Sequence, residues 1–110
     1  MKIIFSILSV ILIFLLVINM DIDRNTYNTM EEVLEDKAIN RGWIPTIIPA
    51  SSYDIREVHN IDTNHIDGSF YYHEKDEMTF LEQFNEHNLT WNGFIFTIDR
   101  DNNFVRFKSL

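Results

Sequence analysis

The sequence predicts an α+β domain behind an N-terminal transmembrane helix. Three observations carry that fold class. Residues 3–20, IIFSILSVILIFLLVINM, run apolar with no ionised side chain. Two later segments repeat apolar residues at helical spacing. Two runs near the C-terminus, 94–99 and 104–108, alternate as a hairpin does.

The apolar run comes first. About 18 residues at 1.5 Å each reach roughly 27 Å, enough to cross a bilayer core. It is longer than the core of a secretory signal, and its exit, Val17-Ile18-Asn19-Met20-Asp21, has no small-x-small cleavage pattern. There is no cysteine to carry a lipid. The reading is an uncleaved signal anchor, with a cleaved signal and a buried core helix as alternatives. Lys2 precedes the run, and Asp21 and Asp23 follow it. The positive end stays inside, so residues 21–110 face outward from a bacterial inner or plasma membrane. The excess of Asn, Ile, Phe and Lys over Ala and Gly suits an AT-rich bacterial genome. The domain plan is anchor 1–20, polar stalk 21–28 and outer domain 29–110.

Within that domain, Thr29-Met-Glu-Glu32 reads as a capping box. Met30, Val33, Leu34 and Ala38 continue the helix to Gly42, which stops it, so the first helix is about 30–41. Pro45 and Pro49 exclude a helix interior and push Ile44 and Ile48 into extended conformations. Ser51 or Ser52 then caps a short helix, which a polar turn at Asp62-Thr63-Asn64 closes. Gly68 opens a strand at about 69–73. Asp76 caps a second helix, about 77–87, that buries Met78, Leu81 and Phe84 beside Phe80. Gly93 opens the hairpin. Its faces stay chemically distinct only if paired positions sum to 203, which sets Phe96 against Phe107 and Ile98 against Val105.

Composition bounds the function. The chain carries 17 acidic and 9 basic residues, a net charge of −8. Such a surface repels nucleic acid and anionic head groups, and suits a basic protein, a cation or a neutral ligand. The outer part is long enough for one modest core, with no disulfide to reinforce it.

The segment Arg41–Asn64 resembles the head-domain family named after YbbD, a group of small bacterial envelope proteins. The residues that carry the resemblance are Gly42, Trp43, Pro45, Pro49, Ser51, Asp54, Ile55, His59, Asp62, Thr63 and Asn64. The resemblance implies an envelope location, and it brings no activity with it.

Three chemical readings compete over this segment. His59-x-x-Asp62-x-x-His65 offers imidazole and carboxylate to a metal such as zinc, but its spacing fits neither a helical i, i+4 pair nor a finger. Ser51 or Ser52 with His59 and Asp62 has the residue types of a hydrolase, without a G-x-S-x-G elbow. The plainer reading is that His59 and Asp62 hold the segment in place by hydrogen bonds. Trp43 either covers the end of the core or forms a ligand platform. The sequence therefore points to a non-enzymatic envelope protein without a cofactor, binding another envelope protein and no nucleic acid. The alternatives are an immunity or inhibitor protein that neutralises a basic toxin, and a metal-binding or hydrolytic domain centred on His59.

Overall fold

Strand alternation, rather than helical spacing, organises this chain. The computed structural model describes residues 6–14, 21–84 and 88–110. Six strands, β1 (Ile22–Thr29), β2 (Tyr53–Asn60), β3 (Ile66–Tyr71), β4 (Thr90–Trp91), β5 (Phe94–Asp99) and β6 (Phe104–Ser109), form one sheet in the order β1-β2-β3-β6-β5-β4. Every neighbouring pair is antiparallel. The helices are minor: α1 over 6–14, α2 (Met30–Glu35), and α3 (Glu77–Leu81) behind a single 3-10 turn at Glu74–Asp76. The expected α+β domain with three strands is thus corrected to a mostly antiparallel sheet with few helices.

The transmembrane helix expected over 3–20 is corrected as well. Among the described residues no helix is long and apolar enough to cross a membrane. The signal anchor and the single-pass membrane location rested on that helix, and the described structure does not support them. Residues 3–5 and 15–20 of the run lie outside the described residues.

The stalk expected at 21–28 is strand β1, paired along its length with β2 from Ile22↔Asn60 to Thr29↔Tyr53. The short helix expected after Ser51 is β2 itself. The strand expected at 69–73 runs earlier, at Ile66–Tyr71. The hairpin is as expected: Phe96 faces Phe107, Ile98 faces Val105, and Arg100–Asn103 form the loop.

Both α2 and α3 end early, for identifiable reasons. Thr29 caps α2 by accepting the Glu32 N–H at 3.5 Å, while Glu32 reaches back to the Asn28 N–H at 2.6 Å. The helix then stops at Glu35, not near 41. Lys37 takes a left-handed conformation, φ 56°, and donates its N–H to the Leu34 carbonyl. Ala38 donates to the Val33 carbonyl, so two bonds of a Schellman motif close the end without glycine. The second helix, expected at 77–87, ends at Leu81 and buries Phe80, while Met78 is exposed. Residues 85–87 lie outside the described residues. The proline segment is not extended. Ile48 donates to the Pro45 carbonyl and Ser52 to the Pro49 carbonyl, which makes two consecutive turns.

These turns lay Ile44, Pro45 and Ile48 into the core with Val33 and Ala38. One face of the sheet receives them. Its rows run Asn25–Glu57–Gly68–Phe107–Phe96 and Tyr27–Ile55, then Val105–Ile98. Gly68 is required in that row. A Cβ there would enter the Phe107 ring and stand 2.7 Å from the Arg56 carbonyl. Phe80 joins Phe70, Phe84 and Phe96 in edge-to-face contacts, which seats α3 on the sheet. Tyr72 fixes the same corner. Its hydroxyl donates to Glu77 at 2.8 Å, and Arg100 reaches Glu77 at 3.3 Å from the hairpin loop.

The register makes a measurable claim. Phe96 is 3% exposed and its strand neighbour Ile95 is 36% exposed. Phe96→Ala should cost about 3–5 kcal/mol of unfolding free energy, and Ile95→Ala far less. Denaturant titration of both variants checks this, and equal losses would remove the assignment of faces.

Candidate functional site

Two places concentrate polar chemistry. The first is inside the sheet, at the β1–β2 end of the covered face. Antiparallel pairing sets Asp23 against His59 and Asn25 against Glu57. Glu57 is completely buried and His59 nearly so. The Glu57 carboxylate accepts from Asn25 Nδ2 at 2.9 Å and shares a proton with His59 Nδ1 across 2.7 Å. On the other side of the ring, His59 Nε2 lies 3.4 Å from Asp23 Oδ2, and Asn25 also donates to Asp23 at 3.3 Å. Trp43 stacks on the imidazole with centroids 4.4 Å apart, and the Arg41 guanidinium sits 4.9 Å above the indole. The imidazole is thus clamped at both nitrogens and roofed on one face. Burial pushes the Glu57 carboxyl above the ordinary glutamate range, and the bonds from Asn25 and His59 only partly oppose it.

The segment singled out in the sequence divides here. Trp43 roofs this network, and Pro45 and Pro49 are buried. Ser51 faces elsewhere: its Oγ accepts the His73 N–H at 3.0 Å, and its own N–H donates to Asp76 at 3.1 Å. Hydrogen bonding from Ser51, first through its hydroxyl and then through its N–H, holds the Asp76 carboxyl below its usual range. Ser52 is buried, and among the described residues its Oγ has no hydrogen-bond partner. Asp54 occupies a β-bulge at φ 46° and meets Arg56 at 3.4 Å. Asp62, Thr63 and Asn64 belong to the β2–β3 loop. Asn60 Oδ1 accepts the Asp62 and Thr63 N–H groups at 2.9 and 3.1 Å, and Asn64 takes φ 61°. A hydrogen bond to Asp62 raises the pKa of Asp21, the residue just before β1. His65 turns to Asp67 and Ser109 at 3.3 Å each. Neither Ser51 nor Asp62 reaches His59. Among the described residues no group of three His, Cys, Asp or Glu side chains could hold a metal ion.

Sequence reasoning passed over Asp23, Asn25 and Glu57. A strand reading of 53–60 would have placed Glu57 and His59 on one face with Ile55, and that alternation was the available signal.

The second place is the opposite, open face of the sheet. Here the rows are Arg24–Val58–Asp67–Lys108–Ile95 and Thr26–Arg56–Ser69–Arg106–Thr97. They border a groove of about 550 Å³. At one end Tyr53 stacks on Tyr71 at 5.6 Å, Tyr71 meets Phe104 at 4.8 Å, and Arg106 lies over Phe104 at 5.7 Å. The bulge at Asp54 turns Tyr53 to this side, because Asp54 and Ile55 together oppose Phe70.

The described structure therefore defines an antiparallel sheet domain with one covered and one open face. Residues 21–71 match the family model of the YbbD head domain. That stretch runs from β1 to the end of β3 and contains the whole His59 network, so the resemblance read from residues 41–64 is shown. No curated protein and no solved structure matches the chain.

Two outcomes follow from the network. A glutamate whose folded pKa is raised contributes stability below its unfolded value, about 4.3, and loses it as pH climbs through the folded value. Wild type should therefore lose stability relative to Glu57→Gln as pH rises from about 4 to 7. Urea unfolding of both at several pH values measures it, and parallel curves would contradict a raised Glu57. Separately, His59→Ala leaves the buried carboxylate short of a partner and should cost about 1–3 kcal/mol in metal-free buffer. Zinc should scarcely move the melting temperature of the wild type. A large zinc shift, abolished in His59→Ala, would make His59 a ligand instead.

Proposed function

We propose that this chain is a non-enzymatic protein-interaction module that binds through the open face of its sheet. The observation that carries the reading is the groove across β2, β3, β6 and β5, where Arg56, Arg106 and Lys108 stand beside Phe104 and Ile95. Catalysis has less support. His59 has both ring nitrogens occupied by carboxylates and lies under Trp43, so no substrate atom has an approach to it. The groove is, by contrast, open to solvent, with apolar and charged side chains mixed as at protein interfaces. The cations on it also favour this reading over an acidic face that neutralises a basic toxin.

Site-directed photo-crosslinking in the cell tests it. A crosslinker at Thr97, on the open face, should trap a protein partner. Arg106→Glu should abolish that product and leave the melting temperature unchanged. Trapping from Thr79 on α3 instead would move the site to the covered side. A hydrolytic activity that disappears in His59→Gln while the fold is retained would replace the proposal with an enzyme.

A further inference from the structure

The open face has a polarity opposite to that of the chain. The sequence has 9 basic residues against 17 acidic ones. Four of the basic residues, Arg24, Arg56, Arg106 and Lys108, fall on this face by strand register. Among the described residues Asp67 is the one carboxylate that lines the groove. Arg56 meets Asp54 at 3.4 Å, but both groups are solvent-exposed and such a pair holds weakly. Among the described residues Arg24, Arg106 and Lys108 have no ion-pair partner. Solubility does not explain them. Added acids solubilise better than added bases, and these cations bring an acidic chain closer to neutrality.

Resting on the reading of this face as the binding surface, we infer that its ligand is an extended acidic peptide segment of a partner protein, with carboxylates at alternate positions. The spacing supports that geometry. Arg106 and Lys108 are two residues apart on β6, about 6.8 Å along the strand. An extended peptide repeats same-side groups at the same interval. Arg56 stands in register with Ser69 and Arg106, two strands away, at roughly 9.6 Å, within reach of a further carboxylate. The guanidinium groups of Arg56 and Arg106 can each take a carboxylate with two parallel bonds. Phe104 and Ile95 offer apolar contact to the residues between the acids.

The net charge of −8 does not forbid this. The Debye length at physiological salt is about 8 Å. Exposed charges farther than that across solvent are largely screened, so the cations nearest the ligand weigh most. Single-stranded nucleic acid fits less well. Base stacking needs free ring faces, whereas Tyr53 and Tyr71 stack on one another and Arg106 covers Phe104.

The test uses the full chain and three labelled probes: a ten-residue peptide alternating Glu and Thr, its Gln–Thr counterpart, and a ten-nucleotide oligothymidylate. Fluorescence anisotropy gives affinities, and amide chemical shifts map the surface. The Glu peptide should bind at least tenfold more tightly than the Gln peptide and shift amides of β2, β3, β5 and β6. Arg106→Gln and Lys108→Gln should each weaken it by roughly threefold, and Asp67→Asn should tighten it by a similar factor. A merely structural Asp67 would give no tightening. No binding of the Glu peptide, equal affinity for the Glu and Gln peptides, or tighter binding of oligothymidylate through Arg106 would each overturn the acidic-peptide inference while leaving the open face as a surface. Shifts confined to the α2 and α3 side would overturn the surface itself.

Discussion

The covered half of the sheet depends on one buried carboxylate. Glu57 has no exposed surface, and a bare carboxylate in that position would be costly to hold. It is tolerated because β1 brings Asn25 to it and β2 brings His59 to it. That requirement fixes the β1–β2 register, since a one-residue slip would carry both partners to the open face. The same requirement explains why β1 is polar on its covered side. Asp23 and Asn25 face inward to serve the network, where an aliphatic pair would ordinarily sit. Trp43 then closes the end of the core over His59, and two turns at Pro45 and Pro49 follow it in the chain.

The other half of the core works differently. Around β5, β6 and α3 there is no buried charge among the described residues, and the side chains are mainly phenylalanines in edge-to-face and tilted contact. Tyr72 is the polar exception. Burial and its bond to Glu77 push its hydroxyl up to about 12, so it remains a donor at physiological pH. Arg100 and Tyr72 in turn hold the Glu77 carboxyl below its usual range. Apolar area carries this half, whereas hydrogen-bond satisfaction sets the geometry of the other. The two meet at Gly68, where the missing side chain admits the Phe107 ring beside Glu57.

Legibility in the sequence follows that division. The β5–β6 hairpin was readable with its register, because Phe96, Ile98, Val105 and Phe107 keep one face apolar. The Thr29 cap was readable because capping is local. β1 and β2 were not readable. Their inward positions carry Asp23, Asn25, Glu57 and His59, which look solvent-facing until each is seen as the partner of another. The end of α2 was missed for a related reason: Lys37 takes the left-handed position where glycine would signal it. The polar residues 59–65 were conspicuous in the sequence, but most of them serve the β2–β3 loop that Asn60 organises.

By itself the sequence determined local matters: a hairpin register, a helix cap, the turn chemistry of Asp62-Thr63-Asn64, and the resemblance to the YbbD head domain. These depend on residues close together in the chain or on strict alternation. Composition also set the total charge, which pointed to a basic partner. Only the tertiary structure decided where that charge goes. Pairing β2, β3 and β6 gathers Arg56, Arg106 and Lys108 on one face, although fifty residues separate the first from the second. Electrostatic interaction in salt solution acts over about 8 Å, so a ligand senses the local face and not the sum.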